Sequence, residues 1–137
     1  GKIFYEQNDD SYFSSLPENI RVFPFITRMD LAYGMADLII SRAGAGTISE
    51  LSVVGKPVIL VPSPNVAEDH QTKNALSLVN KKAGVHVPDA DARQILVDEA
   101  IRIIHDEKMQ NELSVNIEKL AIPDAASRIA KEILKYL

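Results

Sequence analysis

ADLIISRAGAGTISE, residues Ala36 to Glu50, reads as a short apolar strand, a glycine turn and the start of a helix. Leu38, Ile39 and Ile40 form a continuous apolar run, the pattern of a parallel strand covered on both faces. Gly44 and Gly46 permit a sharp turn and place no side chain between the backbone and a ligand. Thr47 is positioned to cap the helix, and Glu50, three residues on, completes a T-x-x-E capping box. First-turn amides and the helix dipole together favour an anion at such a place. Two glycines by themselves read equally well as a tight βα turn with an ordinary cap.

The alternation continues outward from this stretch. Residues 20–26, IRVFPFI, read as a strand, with Pro24 pointing to an edge position or a strand end. Thr27 is read as the cap of a short helix, Met29 to Met35. Strand Leu38–Ser41 leads to a helix from about Thr47 to Val54, stopped by Gly55. Val58–Val61 is a strand ended by Pro62 and Pro64, a helix covers about Asp69 to Lys81, and Gly84–Val87 is the last strand. Within residues 1–20, KIFYE suits a strand or a helix start. Asn8, Asp9, Asp10, Ser14 and Ser15 favour turns, around a short helix ending near Leu16.

The last third is helical. Asp91 is placed to cap a helix with Leu96, Ala100, Ile103 and Ile104 on one face. A second helix carries Met109, Leu113, Ile117 and Leu120, and a third, after Pro123, carries Ile129, Ile133, Leu134 and Leu137. Strands alternating with helices mean βαβ units and a parallel sheet, with ligands bound past the carboxyl ends of the strands. The turns after 38–41 and 58–61 therefore face one crevice.

A length of 137 residues suits one domain, and 46% hydrophobic with 25% charged residues is a globular composition. A net charge of −4 offers no basic footprint for nucleic acid. There is no cysteine for a disulfide or thiolate site, no Asp/Glu/His cluster with metal-ligand spacing, and no apolar run near the ~18 residues of a membrane helix.

SRAGAGTISE, followed by GKPVILVPSPNVAEDHQTKNA over Gly55–Ala75, resembles the C-terminal, donor-binding domain of the MurG family of bacterial glycosyltransferases. The resemblance runs from about Arg21 to the C-terminus. It is sharpest over Phe25–Met29, Arg42–Glu50 and Glu68–Ala75. It implies an α/β, Rossmann-like parallel sheet with flanking helices, the C-terminal half of a GT-B fold. The implied reaction is inverting transfer of N-acetylglucosamine (GlcNAc) from UDP-GlcNAc to undecaprenyl-pyrophosphoryl-MurNAc-pentapeptide (lipid I), making lipid II for peptidoglycan. No cofactor is expected, and no metal, since no cluster in the sequence has metal-ligand spacing. It works in the cytoplasm, peripheral on the inner face of the membrane. Its acceptor site and catalytic base lie on an N-terminal half. This chain is therefore expected to hold no catalytic residue and to be inactive alone.

The family domain also begins with two strands and a glycine-rich turn not found here. Residues 1–137 are thus expected to be one UDP-sugar-binding domain, truncated at its N-terminus, with a two-strand gap between the segment at 21–26 and the strand at 38–41.

Each candidate residue carries two readings. Glu50 closes the capping box or, as the resemblance implies, accepts from the UDP ribose. Thr47 and the amides around Gly44, Ala45 and Gly46 are implied to lie near the diphosphate and sugar. Phe25, Ile26 and Met29 are ordinary core or, by resemblance, the uracil site, where the Ile26 backbone reads the base edge. His70 is a surface histidine or, with Gln71, lies beside the GlcNAc hydroxyls, with Asn74 supporting them. Asp69 serves as a cap. Arg42 points into the crevice or makes a structural hydrogen bond, and Lys81 and Lys82 form a solvated helix end. Rival readings are a separate donor-binding subunit of a two-chain GlcNAc transferase, a non-catalytic UDP-sugar module, and an epimerase. The last requires catalytic carboxylates and a histidine that the sequence does not place.

Overall fold

Val58, Ile59 and Leu60 are fully buried, and that one tripeptide is the middle strand of the sheet. In the computed structural model, which describes residues 2–8, 10–64 and 69–136, the chain divides into two compact units, residues 1–35 and 36–137. Asp9, Glu68 and Leu137, which figure in the sequence reading, lie outside the described residues.

The first unit holds three short helices, α1 (Lys2–Glu6), α2 (Asp10–Ser14) and α3 (Met29–Met35). KIFYE is thus helical, and Asp10 opens a helix instead of a turn. Tyr5 stacks on Phe13 at 4.5 Å between ring centroids, while Phe4 and Phe13 meet Tyr12 edge-on. The expected strand over 20–26 does not form. Pro24 has no N–H to give a ladder, which disfavours a paired strand here. Phe23 and Phe25 stand 57% and 77% exposed. At α3 the Ala32 N–H bonds the Arg28 carbonyl, so Arg28 and not Thr27 occupies the cap position.

The second unit carries the sheet. Strands β1 (Ile39–Ser41), β2 (Val58–Leu60) and β3 (Val85–His86) pair in parallel in the order β1-β2-β3, with Ile39 opposite Val58 and Ile59 opposite Val85. Helix α4 (Ala45–Val54) connects the first pair and α5 (His70–Val79) the second. Helices α6 (Ala92–Ile104), α7 (Glu107–Glu118) and α8 (Ala125–Ile133) follow. Residues alternate across the sheet. Ile59, Val61 and Val87 pack with Ile103 of α6 and Leu113 of α7. On the other side Val58 meets the Gly84 backbone and, with it, Leu78 of α5. A methyl added at Gly84 would lie 3.1 Å from Val58 Cγ1, tight enough that the valine would have to give by a few tenths of an ångström. The α6 and α7 faces are buried as read at Ile103, Leu113 and Ile117, whereas Ile104 is exposed.

Gly55 ends α4 in the left-handed region, at φ 69°, its N–H on the Leu51 carbonyl. Replacing Gly55 with alanine should cost about 1–2 kcal/mol, because a Cβ crowds the following carbonyl in that conformation. Chemical denaturation that finds no loss would contradict the left-handed cap.

Candidate functional site

The carboxyl ends of β1 and β2 meet two helix N-termini. Helix α4 starts two residues earlier than expected: Gly44 is its N-cap, and the Ile48 N–H bonds the Gly44 carbonyl at 2.9 Å. The capping-box reading therefore fails. Thr47 is the third helical residue and Glu50 the sixth, and no side chain caps the helix. Nor does Gly44 supply a left-handed turn, since its φ of −66° and ψ of 147° suit any residue. What the glycines leave is access. A Cβ at Gly46 would meet no atom within 4 Å, and one at Gly44 would touch only Thr47 Oγ1. The first-turn N–H groups of Ala45, Gly46 and Thr47 have no acceptor within the helix, and they lie at the positive end of its dipole.

Helix α5 reaches across to this turn. Gln71, Asn74, Ala75 and Leu78 follow one another at i, i+3, i+4 and i+7, so two amides continue the buried stripe toward the helix start. Gln71 Oε1 accepts the Ala43 N–H at 3.2 Å and the Ser63 N–H at 2.9 Å. Asn74 Nδ2 donates to the Ala43 carbonyl at 3.1 Å. Ala43 is fully buried in non-regular backbone, and each of its peptide groups left unpaired there would cost about 1–3 kcal/mol. Two side chains of α5 satisfy both. The backbone partners also fix which end of each amide is oxygen. Gln71 is left with its –NH2 as a donor and Asn74 with its oxygen as an acceptor. The sequence reading had Gln71 beside the sugar hydroxyls with Asn74 in support, and missed this internal role. The polar continuation of the α5 stripe was the signal for it.

Arg42 resolves to the structural reading. Its Nη1 donates to the carbonyls of Val61 and Pro62, at 3.1 and 3.2 Å, and to the Asp89 carboxylate. It thereby joins the ends of all three strands. Asp69 occupies the α5 cap position in the left-handed region, at φ 56°, without a side-chain cap bond, and exposed His70 is the first helical residue. A cleft of about 420 Å³, with Pro62, Thr72, His86 and Asp89 in its walls, opens beside Asp69. Lys82 pairs with Glu112 at 3.2 Å.

Of the other candidates, Glu50 is exposed on α4. Phe25, Ile26 and Met29 belong to the first unit, where they are 77%, 40% and 36% exposed, so they are not core. Among the described residues, no three His, Asp or Glu side chains cluster as metal ligands, and no helix is long and apolar enough to cross a membrane.

The family described as "Glycosyltransferase family 28 C-terminal domain" matches residues 1–129. This chain belongs to glycosyltransferase family 28. A protein of Parabacteroides distasonis is 61% identical over 113 residues, covering 82% of this chain and 31% of the relative. One of Bacteroides thetaiotaomicron is 52% identical over 137 residues, covering 98% of this chain and 37% of the relative. Both are named UDP-N-acetylglucosamine--N-acetylmuramyl-(pentapeptide) pyrophosphoryl-undecaprenol N-acetylglucosamine transferase. The crystal structure of Acinetobacter baumannii MurG superposes with a TM-score of 0.78 at 31% identity, over 91% of this chain and 37% of that one. The chain thus spans roughly a third of the length of the proteins it matches, and the fold is that of the C-terminal half of a GT-B glycosyltransferase.

Proposed function

We propose that this chain is the donor-binding part of an inverting transferase that moves GlcNAc from UDP-GlcNAc to lipid I. The observation that carries it is the α4 N-terminus, whose first-turn amides lie open at the strand ends, in a chain whose relatives are named for that reaction. The amides of Gly44, Ala45, Gly46 and Thr47 take the diphosphate, where they stabilise the leaving UDP. Glu50 accepts from the ribose diol. His70, Gln71 and Asn74 attend the sugar, the amide pair offering one donor and one acceptor. The exposed apolar side chains of Phe25, Ile26 and Met29 serve the uracil. Acceptor and base come from the rest of the protein, which works on the cytoplasmic face of the membrane.

We also read the sheet as one that takes further strands. The Ile39 N–H and the Ser41 carbonyl bond toward β2, so the N–H and C=O of Ile40 face the opposite edge of β1, which pairs with no strand among the described residues. An open edge carrying a 47% exposed isoleucine is a place for another strand.

Calorimetry with UDP and ADP tests the donor assignment. UDP should bind at least about tenfold more tightly, a difference of about 1.4 kcal/mol. Equal affinities would remove the case for a uridine site.

A further inference from the structure

We propose that Gln71 is a positioning residue that holds the β1–α4 turn and the loop after β2 in one register, and so sets the affinity for the UDP diphosphate through backbone it does not share with the ligand. The inference rests on the donor-site reading above and goes beyond it.

Its basis is the double acceptance by one oxygen. The Ala43 N–H immediately precedes the Gly44 cap of α4, and the Ser63 N–H lies in the loop that follows β2. These two segments belong to neighbouring strands and have no helix or ladder of their own at these residues. Gln71 Oε1 bonds both, and Asn74 Nδ2 takes the Ala43 carbonyl from the same helix face. The direction in which Ala45, Gly46 and Thr47 present their N–H groups follows from where the Ala43 peptide is held. Rotating that peptide tilts the first turn of α4. A preorganised set of donors loses affinity when it must be reordered on binding.

The amide is also polarised by its role. With both lone-pair directions of the oxygen engaged by N–H groups, Gln71 has only –NH2 to offer. A side chain that merely lay beside a ligand could flip its amide to suit either partner, whereas this one is fixed.

The test uses the full-length gene product and compares Gln71→Ala with Gln71→Glu. A glutamate oxygen accepts both N–H groups as glutamine does, whereas alanine accepts neither. Hydrogen exchange should rise at least tenfold at the Ala43 and Ser63 amides in Gln71→Ala and return to wild-type protection in Gln71→Glu. UDP, which carries no sugar, should bind Gln71→Ala about tenfold more weakly, at a temperature well below either variant's Tm. The inference is overturned if the two amides keep their protection in Gln71→Ala, if they exchange as fast in Gln71→Glu as in Gln71→Ala, or if UDP affinity is unchanged by the alanine. In that last case the loss of UDP-GlcNAc alone would make Gln71 a sugar contact and nothing more. A wild-type protein that binds no UDP fails the donor-site reading itself, a result distinct from all three.

Discussion

Assayed alone, the 137-residue chain should transfer no GlcNAc to a lipid I analogue, whereas a protein that joins it to an acceptor half should. The chemical requirement is specific. An acceptor hydroxyl attacks an anomeric carbon only when a base sits within hydrogen-bond reach of its proton, a contribution of about 10²–10⁴ in rate. Alignment of the two substrates contributes more still, as effective molarities of about 10⁵–10⁸ M. What this chain builds at its strand ends is of another kind. The amides of Ala45, Gly46 and Thr47, the –NH2 of Gln71 and the oxygen of Asn74 are neutral hydrogen-bonding groups suited to hold a donor and stabilise a leaving diphosphate. None takes a proton near neutral pH. Turnover by the purified chain above a no-protein control would place the base here and make His70 and Glu50 the candidates. The same sample tests the sheet. The Ile40 amide, turned away from β2, should exchange rapidly while Ile59 and Leu60 stay protected, and slow exchange at Ile40 would mean its edge is already paired.

The parallel sheet was legible because each of its strands is a short run of aliphatic residues closed by a strong punctuator. Ile39–Ser41 runs into glycines, Val58–Leu60 into Pro62, and Val85–His86 follows Gly84. The segment at 20–26 has the same composition without the same outcome. Hydrophobic content alone does not select a strand when one of its residues lacks an N–H. Helix starts were less legible than helix stops. Gly55 must end α4, since few residues accept its φ, but a threonine is only one of several ways to begin a helix. Ala45 and Gly46 extend α4 backward, and Thr47 becomes interior. Asp106, whose carboxylate accepts the Met109 N–H at 2.9 Å, is a genuine side-chain cap that went unremarked. In α8 and at its C-cap the periodicity was right and the burial was not, for Ile129, Ile133 and Leu134 are 62%, 58% and 66% exposed. Periodicity marks a face and is silent on what covers it. Gln71 escaped for a related reason, since its hydrogen bonds go to backbone 28 and 8 residues away.

Glu50→Gln should weaken UDP binding about 10- to 150-fold and leave the melting temperature nearly unchanged. Glu50 lies on the exposed side of α4, five residues past the first helical position, beyond the first turn where the dipole acts most strongly. The capping box itself is absent, since Gly44 caps the helix and Thr47 is inside it. An exposed substitution of like size at such a place changes stability by about 0.5 kcal/mol or less. A carboxylate bonded to a ribose diol is different, because a charged hydrogen bond contributes about 1.5–3 kcal/mol, and glutamine keeps the shape while losing the charge. The ligand supplies the control. A UDP analogue lacking the 2′- and 3′-hydroxyls should bind wild type and Glu50→Gln alike, since the interaction removed by the mutation is already gone from the ligand. If the mutation weakens the analogue as much as UDP, Glu50 acts through the helix or the diphosphate and not through the ribose. If the main loss is in Tm, the carboxylate serves the fold.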